Sequence, residues 1–261
     1  MEMNTFDSLK KPNMKNIFLC SSLFLLLAGT SVHAQISSGV AFEYSISSSE
    51  GATGEFKGYF SEIGFRSEMT MHIAQMPGGG FSRTSLMLKD KPGISIMLDD
   101  KAKTYSENEI KPRPAGNPDS CLVKILGNEK IGKYNCVHSQ VTENHKVSEF
   151  WTTKDIPDYE KYAAVHKGGR YMGRGNTEAA LKKAGADGFL VKTFSKEGRG
   201  GETSMELTKF EKQNLSADLF TIPAAYTKTA PSPDYSKMKD MTPEERQKFM
   251  ENMKKQNGGG K

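Results

Sequence analysis

From residue 36 onward the chain alternates apolar and polar side chains with period two. In VAFEYSI, Val40, Phe42, Tyr44 and Ile46 fall on one side, with Ala41, Glu43 and Ser45 on the other. In FRSEMTMHI, Phe65, Met69, Met71 and Ile73 share a face opposite Arg66, Glu68, Thr70 and His72. GEFKGYF, between them, sets Phe56, Gly58 and Phe60 on one side. Successive side chains of a strand point to opposite faces, so this alternation predicts strands with one buried and one wet face. Further strands are expected at 81–88, 94–98, 103–106, 122–126, 133–142, 147–153, 189–195, 204–210 and 219–222. The breaks SSSEGATG, MPGGG, DKPG and LDDKAK are too short for a parallel return and predict hairpins. The expected fold class is mainly β (α+β), an antiparallel meander coiled into a barrel or a strongly curved sheet.

Two stretches leave this rhythm. IPDYEKYAAVHKGG opens with Pro157, closes with Gly168 and Gly169, and sets Tyr159, Tyr162, Ala163 and His166 on one helical stripe. NTEAALKKAGADG has Asn176 as its expected N-cap and Gly185 as its stop. Two short helices inserted between strands are expected to lie across the sheet as a lid or plug. After residue 228 the chain turns polar and Pro-containing, a linker composition. MTPEERQKFMENMKKQ then predicts a C-terminal amphipathic helix, with Thr242 and Glu245 as a capping box around Pro243. Phe249, Met250 and Met253 are its narrow apolar stripe. The expected organisation is 1–34, a β domain over 35–228, and a helical tail over 229–261.

The N-terminal segment changes the chemical setting. Met14 and Lys15 precede an apolar run over 17–28, and Val32-His33-Ala34 places small residues before Gln35. This is the layout of a secretory signal peptide cleaved between Ala34 and Gln35, with an apolar run too short to span a bilayer. The polar residues before Met14 do not fit that layout, which places the expected start at Met14. Thr30 holds the position where a lipid-anchored export signal needs cysteine, so a soluble periplasmic or secreted product is expected. Cleavage removes three lysines and two acids and leaves 227 residues with a net charge of +4 instead of +5. That weak charge, with no dense basic stripe, argues against nucleic acid as a partner. A chain of this length can bury one full core.

Export also frames the cysteines. Cleavage removes Cys20 and leaves Cys121 and Cys136, an even pair in an oxidising space, so a disulfide is expected. Closing that loop would stabilise the fold by about 3 kcal/mol on the chain-entropy estimate. The pair lacks zinc-ligand spacing, and two buried free thiols are the alternative.

Little else points to chemistry. His72, His138, His145 and His166 show no two-histidine metal spacing, and no G-x-S-x-G elbow is present. KGGRYMGRG carries Arg170 and Arg174 among glycines, but it lacks the GK[ST] ending and reads as a loop between helices. Thioethers suit Cu(I), which makes Met69 and Met71 a conceivable copper pair, although Phe65 and Ile73 on the same face make packing the stronger explanation. No catalytic residue, metal site or cofactor is assigned, and the chain is expected not to be an enzyme.

SGVAFEYSIS with FKGYFSEIGFRSEM, then IMLDDKAKTYSE, NEKIGKYNCVHSQVT, SEFWTTKDIPDY and NLSADLFTIPAAYTK, occur in an order that resembles an exported domain family of unknown function, number 4412, over about residues 36–228. That family is similar to the lipoprotein-carrier and outer-membrane lipoprotein-sorting (LolA-like) proteins. The resemblance implies an incomplete antiparallel β-barrel with helices as a lid over an apolar cavity, and a lipid, a lipoprotein or another hydrophobic molecule as partner. It implies no catalytic residues. A long acyl chain needs few polar anchors, because each buried CH₂ contributes about 0.8 kcal/mol. By strand parity, Phe42, Tyr44, Phe65, Met69, Met71, Leu86 and Leu88 are the expected cavity-lining residues. The alternatives are an envelope interaction module without a ligand cavity, and a methionine-based copper carrier.

Overall fold

The computed structural model describes residues 36–74, 78–110, 117–166, 175–196 and 201–231, together with 242, 244, 245, 247 and 248. All lie in Gln35–Lys261, one of two units into which the chain divides. The other, Met1–Ala34, holds the expected signal segment. That segment, the Ala34–Gln35 cleavage pair, residues 167–174 of the KGGRYMGRG loop and most of the C-terminal helix lie outside the described residues.

Twelve strands form one open, curved sheet: β1 (Ile36–Ser48), β2 (Thr53–Ser61), β3 (Gly64–His72), β4 (Gly80–Leu88), β5 (Ile94–Asp99), β6 (Thr104–Glu109), β7 (Cys121–Ile131), β8 (Tyr134–Glu143), β9 (Lys146–Thr153), β10 (Phe189–Lys196), β11 (Glu202–Ser216) and β12 (Thr227–Lys228). Their order is β12-β6-β5-β4-β3-β2-β1-β11-β10-β9-β8-β7. The chain thus starts mid-sheet, winds outward through hairpins to β6, crosses to the far edge at β7 and winds back. β1 and β11 pair antiparallel along β1's whole length, from Ile36↔Ser216 to Ser48↔Thr203.

Helices α1 (Tyr159–His166) and α2 (Gly175–Lys183) lie between β9 and β10, where the glycine and proline signals put them. α2 ends as Gly185 adopts φ +73°. Ala186 N–H then bonds Leu181 O and Gly185 N–H bonds Lys182 O, which satisfies two terminal carbonyls. Asn176 is not the N-cap expected of it, because the helix already begins at Gly175. Its amide instead ties α2 to its surroundings, accepting from Asn117 N at 2.8 Å and donating to Glu143 Oε1 at 2.9 Å. In the tail, Thr242 N–H donates to Glu245 Oε2 and Glu245 N–H to Thr242 Oγ1, the two bonds of the expected capping box.

Two expectations are corrected here. The predicted strand at 219–222 is instead the end of a 3-10 turn, Ala217–Phe220, capped by Ser216. Among the described residues the last strand is β12, which runs parallel to β6. The Cys121–Cys136 disulfide is also absent, and both thiols are free. In the β7–β8 hairpin Cys121 faces Glu143 while Cys136 faces Glu129. The two cysteines therefore sit some seven residues apart along the ladder, ~23 Å at strand spacing, whereas bonded cysteines need Cα atoms within about 7 Å. Parity of count selected the pair, and strand register forbids the bond.

Candidate functional site

The ladders assign each strand residue to a face. Phe42 stands opposite Gly58 and Phe210, Tyr44 opposite Phe56 and Leu207, and Val40 opposite Phe60. On the next strands Phe60 faces Phe65, Phe56 faces Met69, and Phe65 faces Met87. These side chains share one face, here called the inner face. Gly58 is needed there, because a Cβ would run into the ring of Phe42.

The inner face holds an aromatic cluster. Phe42 meets Phe189 edge-on at 5.7 Å, stacks on Phe65 at 6.3 Å and meets Tyr44 edge-on at 6.0 Å. Offset and edge-on pairs of this kind add about 0.5–1.5 kcal/mol each beyond area burial. Tyr44 is 1% exposed, and its hydroxyl donates to Leu190 O at 2.7 Å. Burial, with a smaller contribution from Tyr134, pushes its pKa well up, so the phenol stays neutral.

Among the described side chains of helix α1, Tyr162 belongs to this cluster and Tyr159 packs against it. Tyr162 inserts edge-on between Phe60 (5.5 Å) and Phe210 (5.8 Å), joining β2 to β11 across the inner face. The helix is held at its start by Tyr159, whose hydroxyl donates to Asp187 Oδ2 at 2.6 Å, while Lys154 Nζ sits 3.1 Å from Asp187 Oδ1. The Asp187 hydrogen bond, followed by burial, pushes the Tyr159 phenol up to about 12. Beside α1 a cleft of about 280 Å³ opens, lined by Lys133, Tyr134, Asp155, Ile156, Pro157 and Phe210. Phe210 belongs to both the cleft wall and the aromatic cluster, so the cleft abuts the ring that Tyr162 touches.

The seven expected lining residues divide. Phe42, Tyr44 and Phe65 belong to the buried inner cluster, Met71 packs against it half-buried, and Met69 is buried beside Phe56. Leu86 and Leu88 lie on the other face, since Leu86 pairs with Arg66 and Ile96 while inner-face Phe65 pairs with their neighbour Met87. There Leu86, Ile96 and Leu98 form a separate core under Ile222 and Tyr226 of the C-terminal segment. The segment is fixed by Arg66 Nη1 donating to Leu219 O and by Thr229 N–H donating to Tyr105 O. The residues that the sequence reading missed are Phe60, Phe189, Phe210 and Tyr134. Phe60 and Phe210 lay in recognised strands, but which face each presents depended on strand order.

Several polar side chains among the described residues serve the fold. Ser139, Thr152 and Thr153 hydroxyls donate to the carbonyls of Phe150, Ala186 and Asn135. Burial pushes the Cys136 thiol up to about 11, far from a nucleophilic thiolate. His138 stacks on Trp151 at 4.0 Å and bonds Glu149 at 2.9 Å, while exposed His145 sits in the β8–β9 turn at φ 63°. Exposed His72 pairs with Thr53 and Gly80 at the end of β3. Among the described residues no cluster of three or more His, Cys, Asp or Glu side chains could hold a metal. Met69 and Met71 have Phe56 and Phe81 as cross-strand neighbours, an apolar setting that packing explains. Among the described residues, no helix is long and apolar enough to cross a membrane.

The model of a domain of unknown function, DUF4412, matches residues 42–226, most of the β domain. The chain belongs to the DUF4412 family. No curated protein matches it. Among solved structures, PNGF-II is 14% identical with a TM-score of 0.36, covering 78% of this chain and 32% of its own. MucB in complex with MucA is 10% identical with a TM-score of 0.39, covering 72% and 55%. A LolA-superfamily protein from Nitrosomonas europaea is 12% identical with a TM-score of 0.23, covering 71% and 90%. The likeness to the LolA-like proteins named from the sequence is therefore found. The chain spans about a third of PNGF-II and about half of MucB.

Proposed function

We propose that this DUF4412 protein is a non-enzymatic binder of an apolar chain, a lipid or a lipid-bearing partner, which it takes on the inner face of its sheet with α1 as lid. One observation carries the reading. Tyr162 of α1 lies edge-on against Phe60 and Phe210 of the inner face, and a cleft opens against the same Phe210. Withdrawing that ring would uncover Phe60 and Phe210 without breaking a strand pair. Burial of apolar area needs no sharp polar motif, which accords with a site built of Phe, Tyr and Met. The segment 14–35 of the sequence supports export, so the reading places the protein in the periplasm or outside the cell.

Mass spectrometry of organic extracts from the purified protein tests the ligand, with Tyr162→Ala beside the native chain. A stoichiometric apolar compound is expected; clean extracts from repeated preparations would count against it. Sequencing the mature N-terminus from a fractionated cell tests export, with Gln35 as the expected first residue and an uncleaved cytosolic product as the contrary one.

A second reading rests on the degree of filling. Phe42, Tyr44 and Phe189 are each 1% exposed, packed by their own neighbours. On that reading the sheet is an interaction module whose inner face is simply its core, and no apolar probe binds.

A further inference from the structure

Lys133 gives the cleft beside α1 a polarity that the apolar reading does not use. The residue sits in the β7–β8 turn after Gly132, whose φ of +53° brings the chain round. Its ammonium lies 5.4 Å from the centroid of the Tyr134 ring, and that ring is a wall of the cleft. Cation–π attraction thus holds the charge over that ring. Among the described residues Lys133 forms no ion pair. Asp155, a carboxylate that also lines the cleft, is held by Asn135, its Oδ2 accepting from Asn135 N at 2.7 Å and from Asn135 Nδ2 at 3.1 Å. The other lining residues are Tyr134, Ile156, Pro157 and Phe210, and Ile156 is 2% exposed. The site therefore sets one ammonium, without an ion pair among the described residues, and one amide-bonded carboxylate on a largely apolar recess of about 280 Å³, near the lower end of small-ligand sites.

We propose that this cleft takes an amphiphile by its anionic head, with Lys133 Nζ as counter-charge and the apolar tail directed past Phe210 toward Tyr162. The proposal rests on the apolar-binding reading and adds the head-group class to it. A carboxylate from a fatty acid and a phosphate from a phosphate-headed lipid share the required chemistry. Lys101, exposed in the turn between β5 and β6 and far from β7 and β8 in the sheet order, serves as a control cation.

The test is isothermal titration of the full-length chain with three probes of equal tail length, dodecanoate, dodecyl phosphate and dodecanol. Native, Lys133→Gln and Lys101→Gln proteins are compared. The expected result is that both anions bind about fivefold tighter than the alcohol, in keeping with an exposed ion pair. Lys133→Gln should erase that margin, and Lys101→Gln should leave it intact. A larger loss for the phosphate than for the carboxylate would assign the phosphate-headed source, and the reverse the fatty acid. Equal binding of all three probes to the native protein overturns the head-group assignment and leaves the apolar reading standing. A margin that survives Lys133→Gln overturns the assignment to Lys133. Failure of all three probes, dodecanol included, removes the apolar reading and this inference with it.

Discussion

The Tyr44 hydroxyl on β1 donates a 2.7 Å hydrogen bond to the Leu190 carbonyl on β10, 146 residues away, with the phenol buried. β11 lies between those two strands in the sheet, so the bond reaches beyond nearest-neighbour pairing. Tyr44→Phe keeps the ring contacts and strands the carbonyl. It is expected to cost about 1–3 kcal/mol, the usual penalty for an unsatisfied buried polar group. Urea unfolding monitored by circular dichroism measures it, with a lowered midpoint and an unchanged slope expected. The raised Tyr44 pKa also sets a sign. Folding favours the neutral phenol, so this contribution is complete below about pH 10, the ordinary tyrosine value, and declines as the pH rises beyond it.

The free cysteines make a contrast in labelling. Without reductant, native protein should react with iodoacetamide at the half-buried Cys121 and resist at buried Cys136, whose thiol lies near 11. In denaturant both should label fully, again without reductant. Peptide mass mapping reads both states, and a Cys121–Cys136 linked peptide would contradict the register of the hairpin.

Leu86 and Met71 separate the two faces. Leu86 is 0% exposed under Ile222 and Tyr226, so Leu86→Ala is expected to cost about 2–5 kcal/mol. It should leave dodecanol affinity unchanged, since it lies on the face away from α1. Met71→Ala, at a half-buried inner-face position, should cost less stability. Thermal unfolding and probe titration of both variants check the assignment.

Much of this was legible in the sequence. The alternation in VAFEYSI and FRSEMTMHI located β1 and β3 and put Phe42, Tyr44 and Phe65 together, because one face of each strand is plainly apolar. Pro157 and the glycines bracketed α1 for the same local reason. β4 was ambiguous, since SLML puts Leu86 and Leu88 on one face and Met87 on the other with both apolar. Which face is inner depends on β3 and on a C-terminal segment more than 130 residues away. The cysteine error has the same origin, because counting thiols gives compartment and parity but no register. The edge-capping role of β12 was likewise set by a long-range partner, β6.

That cap has its own pH dependence. Lys228 first, and Lys91 second, hydrogen-bond Glu107 and hold its carboxyl down at about 2 against 4.5. A carboxyl lowered by folding stabilises fully above its unfolded value and loses that contribution as pH falls through the folded one. The β12–β6 contact should therefore persist at pH 4.5 and weaken toward pH 2. A carboxyl-carbon NMR titration checks this, with the Glu107 midpoint expected to rise in Lys228→Gln.

The most direct test of the account is where an apolar ligand touches the chain. A diazirine-bearing dodecanol is photoactivated with the native protein, and the labelled peptides are mapped by mass spectrometry. The account predicts saturable adducts on the peptides that hold Phe60, Tyr134, Tyr162 and Phe210. Absence of adducts, or adducts confined to the outer cluster around Leu86, Ile96 and Tyr226, would contradict it.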